Sequence, residues 1–174
     1  MTKGNLLIVG AGMYALVAAE IAEDMGCFDK IAFVDDQAKN LQNGAPVLGT
    51  TQDIGSLAGE YSHIVVAIGN PEIRLRFLEE IRNTTGYQIP SLISPKAYVS
   101  PSAEVKCGCV IEPMAVIHTA CVLEEGCIIS AGAVVNHKST CGRGVHVDCN
   151  GTVAGYTCVP NGMKISCGEV YSNV

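Results

Sequence analysis

A small α/β domain followed by a parallel β-solenoid is the fold class that the sequence predicts, and three observations predict it. From Ile93 onward an aliphatic residue returns every six positions through thirteen successive hexads. Before Ile93, apolar runs that end in Gly or Asp alternate with amphipathic stretches of helical period, the pattern of strands feeding helices. The composition suits both halves, since 48% hydrophobic residues with no Trp and only 3 Phe require a core of small aliphatics.

Taken in order, Met1-Thr2-Lys3-Gly4 leads into Asn5-Leu6-Leu7-Ile8-Val9, a run that reads as a buried parallel strand rather than an export signal. Gly10-Ala11-Gly12-Met13-Tyr14-Ala15 forms a turn into a helix that continues to about Met25. Ile31-Ala32-Phe33-Val34 is a second strand, ending in Asp35-Asp36, and His63 to Ile68 is a further one, ending in Gly69-Asn70. A helix from Pro71 to Asn83 follows, with proline in its first turn, where the missing N–H costs nothing. This is the order of a small Rossmann-like domain, residues 1–92, whose ligand is expected at the carboxyl ends of the strands. Gly10-x-Gly12-x-x-Ala15 with Asp35 beyond it matches a dinucleotide fingerprint. Three readings stay open: NAD, the pyrophosphate of a nucleotide sugar, or glycines that only permit close strand-to-helix packing.

Residues 93–174 carry the hexads. Their first positions are Ile93, Val99, Val105, Ile111, Ile117, Leu123, Ile129, Val135, Cys141, Val147, Val153, Val159 and Ile165, with small residues at most fifth positions. Helices repeat their apolar face at 3.6 and strands at 2, so a period of six means short strands joined by regular turns. Three hexads make one coil, and adjacent coils stack about 4.8 Å apart. Cys109, Cys121 and Cys127 are then small buried corner residues.

A net charge of −6 without a basic cluster argues against nucleic acid as a partner, and no apolar run has the length to enter a bilayer as a helix. Nine cysteines, an odd number, in a chain without an export signal read as reduced thiols of a cytoplasmic protein. None forms a Cys-x-x-Cys pair, so no metal is expected.

Ile8-Val9-Gly10-Ala11, Phe33-Val34-Asp35-Asp36, Ala67-Ile68-Gly69-Asn70 with Glu72-Ile73-Arg74, Leu92-Ile93-Ser94-Pro95, Val135-Asn136-His137 and Val153-Ala154-Gly155 together resemble the bacterial sugar O- and N-acetyltransferases of the hexapeptide-repeat type. The resemblance covers nearly the whole chain. It implies a left-handed β-helix, a homotrimer with active sites between neighbouring prisms, acetyl-CoA as co-substrate, and a sugar or nucleotide-sugar acceptor bound through Gly10, Tyr14, Asp35, Asp36, Gly69 and Asn70. It makes His137 the general base that deprotonates an acceptor amine or hydroxyl, a task histidine performs near neutral pH. Gly155, one full coil further on, is placed to bind the thioester oxygen through its N–H, and His146, expected at a hexad corner, lies near acetyl-CoA or the acceptor. His118 falls one column aside on the same face, with a structural role or one supporting the site residues from behind, and His63 carries no signal. Alternatively, His137 is a solvated turn residue.

Several departures stand beside these matches. Met13-Tyr14-Ala15 replaces the family's Gly-His-Gly, leaving the Tyr14 hydroxyl as a substitute. The base is flanked by Asn136 and Lys138 where the family often has a glutamate. The repeats also stop soon after Ile165, about one coil short of typical members. These departures motivate a second expectation, a binding or regulatory relative with a degenerate CoA site, and a third, an NAD-binding module.

Overall fold

The structure, a computed structural model, describes residues 4–39, 45–83 and 86–173; the lead-in Met1-Thr2-Lys3 lies outside the described residues. The chain separates into two compact units, Met1–Pro90 and Ser91–Val174.

The first unit is built on strands β1 (Gly4–Val9), β2 (Phe28–Val34), β3 (Val47–Gly49) and β4 (His63–Val66), with helices α1 (Met13–Met25), α2 (Ile54–Leu57) and α3 (Pro71–Arg82). All strand pairs are parallel and the order is β3-β2-β1-β4. Leu6 to Val9 and Ile64 to Val66 are buried throughout, which is why they read as continuous apolar runs instead of alternating ones. Helix α1 buries Ile21 and four alanines, Ala15, Ala18, Ala19 and Ala22, whose small side chains let it lie close to the sheet, and it ends at Gly26 in the left-handed conformation.

Two elements escape a sequence reading. Strand β3 is three residues long and pairs only with Phe33 and Val34, and α2 is a single turn. The strand expected to reach Ile68 stops at Val66, level with the end of its partner at Val9, and the Ile68 and Gly69 carbonyls beyond it accept from Arg74 Nη1 at 2.7 and 2.8 Å. Arg74 is fully buried, and these bonds give the Nη1 donors partners in a guanidinium that is costly to desolvate.

The second unit consists of fourteen two-residue strands in three parallel sheets, the faces of a left-handed β-helix. Each strand pairs with the third strand after it, for example Val134 with Thr152 and Val135 with Val153. Ile111, Ile117, Leu123, Ile129, Val135 and their equivalents fill the prism as one core. At the fifth positions, the thiols of Cys109, Cys121 and Cys127 donate to the carbonyls of Glu124, Asn136 and Gly142 at 3.2, 3.0 and 3.2 Å. A small side chain that fits the corner thus also ties one coil to the next. Burial pushes the Cys141 thiol up to about 12, as suits a core residue. The repeat runs one hexad beyond the thirteen expected, to Val170–Tyr171, where an aromatic takes the aliphatic position.

The fourth position of many hexads takes a left-handed backbone. Glycine supplies it at Gly108, Gly126, Gly132, Gly144, Gly162 and Gly168, but Met114, Ala120, Lys138, Asn150 and Tyr156 adopt it with a side chain. Two of these five, Lys138 and Tyr156, lie one coil apart beside His137.

Candidate active site

His137 occupies the turn after the strand Val134–Val135, with its side chain exposed. Turn geometry dictates this placement, since the first hexad position points inward and the third reaches the prism edge. The next coil brings Gly155 directly against it: a Cβ on Gly155 would lie 3.0 Å from His137 Cε1 and 3.1 Å from Nε2. His137 and the glycine expected one coil from it are therefore adjacent, and the missing side chain leaves the imidazole its room.

The surroundings of His137 are more ordered than a solvated turn requires. Its backbone N–H donates to Asn136 Oδ1 at 2.8 Å, and the same oxygen is 2.7 Å from Nδ1. The Tyr156 ring packs edge-on against the imidazole, centroids 5.1 Å apart at 87°, and Lys138 Nζ sits 5.4 Å from the centre of the Tyr156 ring. Asn136 and Tyr156 were not among the expected site residues. Stacking by whole coils would have found Tyr156, which lies one coil above Lys138.

His146 is elsewhere. It is on the strand His146–Val147, not at a hexad corner, and it is half a coil along the chain from His137. Half a coil leads from one prism edge to the opposite face, so one chain does not bring the two imidazoles together. His146 Nε2 is instead 3.1 Å from Ser130 Oγ. Near it Glu112 is buried and accepts from the Ala131 N–H at 3.0 Å; burial raises its pKa, with opposition from the Ala131 N–H and the Ser130 hydroxyl and a further rise from the charge of Asp148. Asp148 pairs with Lys164 at 2.8 Å, and that bond, with the Cys149 N–H, lowers its pKa. His118, in the column of Asn136, is exposed, and His63 is bonded to Ser62 Oγ at 2.9 Å and packed against Phe28, a structural setting.

Among the described residues one group of possible metal ligands comes together, Asp148, Cys149 and Cys167, with ligand atoms within 4.8 Å of one another. The two cysteines are one coil apart, so the solenoid stacks them although no Cys-x-x-Cys exists in the sequence.

In the first unit a cavity of about 350 Å³ opens at the carboxyl ends of the strands, where the order reverses between β1 and β4. Gly10, Asp35 and Asp36 line it as expected, together with Gln37, Thr51, Ile68 and, from one face of α3, Ile73, Arg76 and Phe77. The i, i+3, i+4 spacing of those last three was the signal that would have placed one face of α3 along this cavity. Gly10 has φ +107°, and a Cβ there would meet the Ala67 carbonyl at 3.0 Å, so this glycine is required by the backbone.

The Asp35 carboxylate at the cavity wall is bonded to the backbone around it. It accepts from the N–H groups of Ala11, Gln37 and Ala38 at 2.8, 2.8 and 2.9 Å. Burial acts to raise its pKa, and the N–H groups of Ala38, Gln37 and Ala11 outweigh that and hold it low. A carboxylate that ties the glycine turn to the end of β2 is less available for ribose hydroxyls, which counts against the NAD reading. Asp36 accepts from the N–H and hydroxyl of Thr51, at 2.8 and 2.9 Å.

The remaining expected ligand residues do not line this cavity. Asn70 caps α3, its Oδ1 accepting from the Ile73 N–H at 3.0 Å, and Gly69 offers its carbonyl to Arg74. Tyr14 is half-buried within α1.

Residues 5–81 match the family described as the PglD N-terminal domain, and residues 92–137 match the bacterial transferase hexapeptide repeats. The chain is similar to the acetyltransferase domain of PglB from Neisseria gonorrhoeae FA1090 in complex with acetyl coenzyme A: 35% identity, TM-score 0.92, over 97% of this chain and 82% of that one. The same domain in another structure matches with 33% identity and a TM-score of 0.91, over the same 97% and 82%. A mutant of perosamine N-acetyltransferase from Caulobacter crescentus in complex with CoA and GDP-perosamine shares the fold, with 22% identity and a TM-score of 0.82 over 98% of this chain and 89% of that one. No curated protein matches in a comparison of sequences.

Proposed function

This chain belongs to the sugar acetyltransferases that join a PglD-type N-terminal domain to hexapeptide repeats, and on that premise we propose that it moves an acetyl group from acetyl-CoA to an amine or hydroxyl of a nucleotide sugar. The observation that carries the proposal is the stacking of Gly155 on His137 in a chain 35% identical to an acetyltransferase domain. In the proposed reaction His137 Nε2 takes the proton as the acceptor atom attacks the thioester carbonyl. The Gly155 N–H receives the oxyanion of the tetrahedral intermediate. The C–S bond then breaks and the CoA thiolate leaves with the proton as free CoA.

We assign residues 93–174 to acetyl transfer and residues 1–92 to the nucleotide sugar, held in the cavity lined by Gly10, Asp35 and Asp36. The positions of His137 and His146, on opposite sides of one coil, support a trimer in which a neighbouring copy brings its His146 to the acetyl-CoA site. The location we propose is the cytoplasm, where acetyl-CoA is supplied; among the described residues no helix is long and apolar enough to cross a membrane.

The test is CoA release from acetyl-CoA in the presence of nucleotide-activated amino sugars, with wild type and His137→Ala compared. A loss of at least about 10²-fold in kcat with the assembly unchanged is expected. Equal turnover in the variant removes His137 from the chemistry. Thermal shifts separate the first-unit ligands: stabilisation by UDP-sugars but not by NAD is expected, and the reverse overturns the nucleotide-sugar assignment.

A further inference from the structure

We propose that Asn136 is the positioning residue of the transfer site, its side-chain carbonyl holding His137 in the tautomer protonated at Nδ1 so that Nε2 keeps a free lone pair. The inference rests on the reading of His137 as the base. Neither sequence neighbour of His137 is an acid, so nothing in the sequence says what orients the ring.

Two hydrogen bonds to one atom settle the tautomer. The His137 backbone N–H lies 2.8 Å from Asn136 Oδ1, and a backbone N–H only donates, so the atom facing it is the amide oxygen and not the amide nitrogen. That oxygen is also 2.7 Å from His137 Nδ1. A carbonyl oxygen has no hydrogen to give, so Nδ1 carries the proton. The nitrogen left to accept a proton is Nε2, the one beside Gly155, where a Cβ would come within 3.1 Å. The accepting nitrogen thus faces a position in the next coil that has no side chain.

The anchor of the amide is itself fixed. The Asn136 N–H donates to the Val153 carbonyl at 3.0 Å, and the Asn136 carbonyl accepts from the buried Cys121 thiol at 3.0 Å, so the backbone under the amide is tied to the coil above and to the core. The Tyr156 ring, 5.1 Å away and perpendicular, closes one side of the imidazole. A ring whose orientation and tautomer are set before substrate arrives avoids the loss that follows when a base is free to turn. Asn136 does this with a neutral group, so it orients the base without placing a negative charge against it.

Two variants and one spectroscopic measurement test the role. Asn136→Ala is expected to lower kcat by about 10-fold or more with KM for acetyl-CoA within twofold of wild type. Asn136→Asp keeps an oxygen in place and is expected to retain the greater part of kcat while moving the acidic limb of the pH–kcat profile up by about one unit, since a carboxylate favours the protonated ring. A purely structural asparagine would lower the melting temperature of both variants and leave that limb where it is. Long-range nitrogen–proton spectra of protein labelled with 15N-histidine, assigned with His137→Ala, read the tautomer directly in the unliganded protein. A protonated Nδ1 and an unprotonated Nε2 in wild type are expected, and a protonated Nε2 overturns the inference. An unmoved acidic limb in Asn136→Asp overturns it as well. Full activity of His137→Ala would instead remove the base reading and leave the tautomer result standing.

Discussion

Replacing Gly155 by alanine puts one methyl group where the stack has none. The added Cβ would lie 3.0 Å from His137 Cε1 and 3.1 Å from Nε2. Carbon atoms in contact prefer about 3.5 Å or more, so the imidazole or the turn must yield by about 0.5 Å. Gly155 does not have the left-handed φ of its neighbour Tyr156, so alanine fits the backbone, and stability should change by less than about 1 kcal/mol. The imidazole resists moving, because Asn136 Oδ1 holds Nδ1 at 2.7 Å and Tyr156 closes one side. Catalytic groups work within about 0.5 Å of their productive position, and a misplacement of about 1 Å costs on the order of 10²-fold. The methyl group also occupies the approach to Nε2, so kcat/KM should fall by about 10²-fold, a loss of about 2.7 kcal/mol of transition-state stabilisation. The assay is CoA release under subsaturating acetyl-CoA and acceptor, with the melting temperature measured in parallel and His118→Ala, one column away, as the variant expected to keep its activity. Turnover of Gly155→Ala within twofold of wild type, in a folded protein, would refute the account of why this position lacks a side chain.

Three further outcomes follow from the geometry. Gly10→Ala forces a side chain into φ +107° and against the Ala67 carbonyl at 3.0 Å, so it should destabilise the first unit by about 1–3 kcal/mol and weaken nucleotide-sugar binding, as read by denaturant unfolding and thermal shift. The Glu112 pKa is raised by burial, so between its ordinary value of 4.5 and the raised one the native state binds more protons than the unfolded state, and stability falls as pH rises through that window. Glu112→Gln keeps the acceptor for Ala131 and removes the charge; it should raise the melting temperature at pH 7, with the gain shrinking toward pH 4, and an equal gain at both would contradict the assignment. Cys141, buried and pushed up to about 12, should resist alkylation at pH 8 until denaturant is added, which peptide mass spectrometry would show.

The sequence alone determined the solenoid, because a strict six-residue period is compatible with neither helix nor ordinary strand, and each aliphatic from Ile93 to Ile165 has a fixed direction once that period is known. It also determined that His137 and Gly155 meet, since three hexads, one full coil, separate them. It carried β1, β2 and β4 as apolar runs, but not β3 or α2, whose few residues have no periodicity of their own and are ordered by the neighbours they pair with. Periodicity places residues in columns and says nothing of which polar atoms find each other. The bonds of the Asn136 amide to His137, the bond of Asp35 to the Ala11 N–H, the contact of His146 with Ser130 and the burial of Arg74 beneath the Gly69 carbonyl were decided by tertiary structure. A hydrogen bond needs two groups within about 3 Å in the right orientation, and only the folded chain fixes both.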